Sequence, residues 1–327
     1  MKVAFFGTPH AAVPSLLKLN ASRHEVVCVV TAPDRPQGRG MNLDAPPVKK
    51  AAQQCGLPVM QTPTLKSPEI QEQLAGLGAD LFVVVAFGFI LPRQVLETPK
   101  FGCINVHFSL LPYFRGAAPV QWALIQGHAT TGITIMQLDE GMDTGPMLAR
   151  LEDAIFPEDN TETVEARLAD LGADMLVTVV DQIEDGQASP EAQDDSLATY
   201  ASKISTEAAH IDWSEPAETI FNKVRGLTPR PGAWGMLHRK RLKIWKVSYL
   251  DSDFGGDACA AGDDSSPNAA KAPEGAPGTI EVIKGHLLVR TATGWLSLDE
   301  VQPEGKARMA AADFVRGYRP LPGDRIS

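Results

Sequence analysis

The sequence predicts two folded regions in tandem. The first is α/β, with a Rossmann-like, mostly parallel sheet and helices on both faces. The second is a C-terminal OB-like β-barrel. Three observations carry this. Continuous apolar runs at 2–7, 25–31 and 81–85 alternate with helix-period segments, the pattern of parallel strands buried on both faces. After position 230 the pattern changes to five short strand-like runs in about 70 structured residues, which suits a small closed barrel. The chain of 327 residues is long enough to bury two cores.

Each element has a local cause. Residues 2–7 are β-branched and aromatic and close on Gly7-Thr8-Pro9. A helix follows with Val13, Leu16, Leu17 and Leu19 on its apolar side. With the strand at 25–31 this makes a right-handed crossover. No GxGxxG follows the first strand, so the frame lacks the dinucleotide fingerprint. Residues 33–43 hold two prolines and two glycines and read as an irregular loop carrying Arg35 and Arg39. A helix at 46–55, a short strand at 59–60 and a helix at 68–77 lead to the central strand at 80–86. Further strands are expected at 103–107, 132–138 and 147–155, with a short helix at 118–127 between them. Asp159 and Glu162 have capping-box spacing before a helix whose stripe is Val164, Leu168, Leu171, Met175, Val179 and Ile183. Residues 187–202 are polar and read as a linker, giving domains 1–188 and 207–327 joined by 189–206. Strands are then expected at 233–237, 242–250, 278–283, 286–290 and 295–301, and residues 251–277 as a long loop.

Composition removes several function classes. No apolar run reaches the ~20 residues of a membrane span, and the N-terminus has no signal-peptide pattern. The four cysteines are scattered without CxxC or zinc-ligand spacing, which suits free thiols in a reducing cytoplasm and no metal. The net charge of −10 argues against a protein that coats nucleic acid. The charge is uneven, however. Residues 1–206 hold 14 Lys/Arg against 24 Asp/Glu, whereas 207–327 hold 16 of each.

The chemistry-bearing stretch is Asn105-Val106-His107-Phe108-Ser109-Leu110-Leu111-Pro112. It reads as the carboxyl edge of a parallel strand, where open α/β sheets bind ligands. Asn105 and His107 are two apart and share a face. Asp143, between Gly141 and Gly145, offers a carboxylate. An amide donor, an imidazole and a carboxylate are the parts of an oxyanion and acid/base site. The same residues fit a structural histidine and a turn aspartate. Phe87, Gly88 and Ile90 leave the neighbouring strand end, where aromatic residues can wall a slot or fill core. The one dense basic run is 238–246. On a strand, Arg241, Lys243 and Trp245 share one face, and Leu242, Ile244 and Lys246 the other. Such a run serves either a wet surface or RNA stacking and phosphate contact.

Asn105-Val106-His107, Ser109-Leu110-Leu111-Pro112, Arg115-Gly116-Ala117-Ala118-Pro119, Gly132-Ile133-Thr134-Ile135-Met136 and Met142-Asp143-Thr144-Gly145 resemble the formyltransferases that use 10-formyltetrahydrofolate. Within that family the chain resembles the members whose acceptor is methionyl-tRNA. The resemblance implies catalytic roles for Asn105, His107 and Asp143. It also implies folate binding by Ser109, Leu110, Leu111 and Pro112 with Phe87, Gly88 and Ile90, and no metal. It implies tRNA contact by the Arg35 and Arg39 loop and by the basic strip, through Arg239, Arg241 and Lys243. The implied partner is initiator methionyl-tRNA and the co-substrate a formyl folate, for a cytoplasmic monomer. Tyr113 stands where the family usually has Arg or Lys, and His10 where an acidic residue is common. Rival readings are formyl transfer to another amine, formyl-folate hydrolysis, and RNA binding without catalysis.

Overall fold

The computed structural model describes residues 1–37, 42–249 and 275–327, and the side chains of all of these except Gln37 and Asn42. The chain divides into two compact units. The first comprises residues 1–120, 129–156 and 163–203, and the second residues 121–128, 157–162 and 204–327.

The first unit is built on a seven-stranded sheet. From one edge its strands run Met147–Ala154, Thr130–Gln137, Cys103–His107, Leu81–Val85, Lys2–Gly7, Glu25–Thr31 and Val59–Gln61. The five strands from Cys103–His107 to Val59–Gln61 pair in parallel. Thr130–Gln137 and Met147–Ala154 add antiparallel pairs at the other edge. The central strands are apolar on both faces because both faces are covered. Ala4, Phe6, Phe82, Val84 and Cys103 meet Leu74 and Val95, which lie on helices Pro68–Gly76 and Arg93–Leu96. On the other face Gly172, in helix Thr161–Glu184, lies against Val106 and Ile133.

Two expectations change here. The loop at 33–43 is not wholly irregular: Arg35–Gln37 and Asn42–Asp44 pair as an antiparallel ribbon. Proline tolerates this because the ribbon is only two strands wide and leaves edges that need no ladder partner. Residues 190–201, expected as linker, are pinned to the first unit. Glu191 bridges Met147, and Tyr200–Ala201 pairs in parallel with Arg115–Gly116.

The second unit is an antiparallel sheet in the order Ala233–Leu237, Lys240–Tyr249, Trp295–Pro303, His286–Arg290, Ile280–Ile283, with Met309–Ala310 also paired to Trp295–Pro303. The C-terminal residues join its edges. Leu237 bridges Ile326, and Thr279 bridges Arg325. Helices Ala217–Leu227 and Ala311–Tyr318 contribute Ile220, Val224 and Phe314 to its core, beside Ile244, Leu287, Leu296 and Val301. His238 and Arg239 make the first hairpin turn, both with left-handed φ (49° and 63°). That pair of values is the primed turn that matches strand twist. The loop expected at 251–277 lies almost wholly outside the described residues, and Arg39 lies outside them too.

Candidate active site

Strand Cys103–His107 places Asn105 opposite Val84 on one side and Met136 on the other; His107 stands opposite Thr134. Asn105 and His107 thus lie on one face, as the period of two requires. Just beyond His107, Thr134 ties the turn down. Its hydroxyl donates to the Ser109 carbonyl (2.7 Å) and accepts from the Leu111 amide (3.0 Å). The Ser109 hydroxyl donates to the Tyr113 carbonyl (2.6 Å), so it is used within the loop. Leu111 is fully buried against Met136 and Met147, and Pro112 is buried too. Of this segment, the half-buried Leu110 side chain and the backbone groups not tied to Thr134, Tyr113 or Thr199 remain to offer a ligand.

On the neighbouring strand end the expected slot divides. Phe87 does not line it. Its ring is 3% exposed and stands edge-on to Phe6 at 5.4 Å, inside the core. An apolar ring that follows a buried strand gains more from core packing than from a wet rim. Gly88 (φ 82°) has open space where a Cβ would stand, and Ile90 is 82% exposed. Residues 88–90 thus form an open apolar ledge beside the end of the Asn105 strand.

His107 is buried and both ring nitrogens have a direction. Nε2 lies 3.0 Å from the Phe114 carbonyl. A carbonyl only accepts, so Nε2 carries the proton and donates. Nδ1 faces Asp143 Oδ2 at 3.7 Å, the range of an ion pair when the ring holds a second proton. The same Oδ2 accepts from the Gly116 amide (2.8 Å). Asp143 itself has φ 56°, and Phe114 has φ 59°. Gly145 and Gly116 have a steric reason to be glycine. A Cβ on Gly145 would overlap the Gln137 carbonyl, and one on Gly116 would come 2.8 Å from the Ala201 carbonyl.

Sequence reading missed what stands behind this pair. Arg115 is 2% exposed and donates to Gln193 Oε1 from Nε (3.0 Å) and Nη2 (2.8 Å), and to Asp195 (2.7 Å). Gln193 Nε2 donates to the carbonyls of Asp143 (2.8 Å) and Gly145 (2.7 Å). Arg115 opens the Arg115-Gly116-Ala117-Ala118-Pro119 motif, but nothing in the polar run around Gln193 marks Gln193 out.

The chain matches the model of the formyl transferase family over residues 1–180, and that of the formyl transferase C-terminal domain over 203–319. The chain belongs to the formyl transferase family. It is 43% identical over 324 residues to methionyl-tRNA formyltransferase of Citrifermentans bemidjiense, covering 99% of this chain and 95% of that protein. It is also 43% identical over 324 residues to methionyl-tRNA formyltransferase of Geotalea uraniireducens, covering 99% and 97%. A crystal structure of HypX from Aquifex aeolicus in complex with tetrahydrofolic acid shares the fold. Its TM-score is 0.65 at 14% identity, covering 96% of this chain and 47% of that one.

Of the residues expected at RNA, Arg35 is exposed and opens the short ribbon. The base of that ribbon is anchored: Lys49 Nζ reaches both Asp34 oxygens (2.9 and 2.7 Å), and Gln61 bonds the same carboxylate. Lys49 therefore holds the Asp34 carboxyl below the usual carboxylate range, with Gln61 helping. In the second unit the basic strip faces outward. The Arg241 guanidinium lies over Trp234 at 4.1 Å, and Lys243 Nζ over Trp245 at 5.2 Å, with Arg308 also over Trp245 at 5.4 Å. Arg239 is exposed in the turn. Burial first, and Arg241 second, hold the Lys243 ammonium below its usual range. Lys246 was expected to share a face with Leu242 and Ile244, which are buried here. Instead it is exposed, and Val247 takes the inner place. The pairing register with Trp295–Pro303 shifts on both sides of Lys246, and an extra residue at such a bulge reverses which face follows.

Among the described residues no helix is long and apolar enough to cross a membrane.

Proposed function

We propose that this chain transfers the formyl group of 10-formyltetrahydrofolate to the α-amino group of initiator methionyl-tRNA. The observation that carries the reading is the convergence of His107 and Asp143, with Oδ2 of Asp143 3.7 Å from Nδ1, at the end of the strand that bears Asn105. The family membership and the names of the full-length relatives supply the chemistry to be fitted.

The resemblance supplies the roles, and the geometry of His107 and Asp143 supports them. The acceptor amine must be neutral to attack the formyl carbon, and its lone pair forms the new C–N bond. Asn105 donates its amide hydrogen to the oxyanion that develops. His107, fixed by the Phe114 carbonyl at Nε2, works only through Nδ1. A proton there faces both Asp143 and the site. Asp143 takes the amine's proton, directly or through water, and the proton leaves with N10 of the folate as the C–N10 bond breaks. The backbone at 109–112, Leu110, Gly88 and Ile90 bound the folate. Phe87 acts from the core beneath them.

Arg35 and Arg39 on one unit, and Arg239, Arg241 and Lys243 on the other, contact the tRNA. The paired cations and indoles at Trp234 and Trp245 suit phosphate and base contact. Choice of the initiator tRNA and action as a cytoplasmic monomer belong to the same proposal, as do domains at 1–188 and 207–327 with the segment at 190–201 held on the first. The deciding experiment incubates purified protein with charged initiator tRNA and 10-formyltetrahydrofolate labelled in the formyl group. Label on the methionyl amine is expected. Label released only to water, or passed only to a small amine, would overturn the reading.

A further inference from the structure

We propose that Gln193, locked in place by Arg115, is the positioning residue for Asp143, within a strap at 193–201 that sets the geometry of the His107–Asp143 pair. The proposal rests on the roles assigned above to those two residues.

Asp143 lies in the left-handed region, where a non-glycine residue stays only if its surroundings hold it. Gln193 does this from behind. Both its amide hydrogens are used, one on the Asp143 carbonyl and one on the Gly145 carbonyl, so it spans the turn that presents the carboxylate. Its oxygen receives two donors from Arg115. A guanidinium has no acceptor, so the amide has one orientation here, with nitrogen toward the catalytic loop. A buried guanidinium is costly unless its donors are satisfied. Packing alone would be served by an apolar side chain in place of Arg115. What the arginine adds is direction.

The same strap reaches the other partner. Thr199 Oγ1 accepts from the Phe114 amide (2.8 Å), and the Phe114 carbonyl is what His107 Nε2 donates to. Ala201 pairs with Gly116, whose amide holds Asp143 Oδ2. Three residues of a polar segment outside the sheet thus fix the Asp143 backbone, its carboxylate and the histidine ring.

The discriminating variant is Gln193→Glu. A carboxylate keeps an oxygen on Arg115, so the strap stays attached, but it has no donor for the two loop carbonyls. Displacing a reacting group by about 1 Å costs about 10²-fold, which is the kcat loss expected. KM for tRNA and for folate should stay within about threefold, because neither binding surface is touched. The thermal midpoint should fall by several degrees, because two loop carbonyls lose their donor, and the Gly116 amide, which donates to Asp143 Oδ2, should shift in nitrogen NMR of the unliganded protein. A kcat within about threefold of wild type overturns the proposal, as does an unmoved Gly116 amide resonance. The NMR arm is read without substrate and so judges the strap alone. A wild type that leaves methionyl-tRNA unformylated sinks the functional reading instead.

Discussion

Replacing Asp143 with asparagine removes a charge while leaving a shape. The Gly116 amide donates to Oδ2, and an asparagine can present its carbonyl oxygen at the same point, so the loop has no reason to move. What disappears is the negative charge 3.7 Å from His107 Nδ1. Two unit charges at about that separation interact by about 4 kcal/mol at an effective dielectric near 20. Asp143 keeps some contact with solvent, its side chain being 16% exposed, so the usable part is smaller. At about 1.4 kcal/mol per tenfold, the expected loss in kcat is roughly 10²- to 10³-fold. The assay is steady-state formylation of charged tRNA, with KM for each substrate and the melting temperature recorded alongside. Both KM values should move by no more than a few fold, because the carboxylate touches reacting atoms and not the binding surfaces. Turnover within tenfold of wild type, in a protein that melts normally, would refute the assignment of Asp143 as the charge that serves His107.

Thr134→Val deletes the hydroxyl that serves both the Ser109 carbonyl and the Leu111 amide, and each buried group left unpaired costs about 1–3 kcal/mol. Two groups make about 2–6 kcal/mol; at roughly 2–4 °C per kcal/mol for a unit of this size, calorimetry should show a drop of about 4–24 °C, with a raised KM for folate. His24 gives a pH test. Burial first, and the Met1 amino group second, hold its imidazole below the ordinary 6.5. The unfolded chain therefore binds a proton at 6.5 that the folded chain takes only at lower pH. Stability is full above 6.5 and falls as pH drops below it. His24→Gln should flatten that slope in melting curves, and a slope unchanged by the substitution would remove His24 as its source. Arg241→Ala with Lys243→Ala should weaken tRNA binding and reduce its salt dependence by about two phosphate contacts, with KM for folate unaltered in the same assay. Equal salt slopes for variant and wild type would rule out phosphate contact at the strip.

The legible part of the fold was the part written in periodicity. Strands at 2–7, 25–31 and 81–85 read as buried parallel strands because covering on both faces demands continuous apolar residues. Asn105 and His107 were placed on one face by the alternation of a strand, which needs no partner to be stated. Lys246 shows the limit of that rule. One bulge beside it moved it off the face of Leu242 and Ile244 and into solvent, and a bulge is set by the partner strand's register.

The apolar rings and the polar run mark the same boundary. Phe87 had the composition of a ligand wall and of a core residue alike. Only its contact with Phe6, from a strand 81 positions earlier in the chain, decided for the core. Gln193 and Thr199 sit in a stretch whose polarity fits a solvated linker equally well. Their bonds run to residues 143–145 and 114, and local sequence holds no trace of a hydrogen bond made across 50 or 85 positions. The chain by itself thus determined the types of chemistry and the face that carries them, because those depend on neighbours along the backbone. Tertiary structure alone decided the direction in which Asp143 and His107 are held, because that depends on donors and acceptors brought together only by folding.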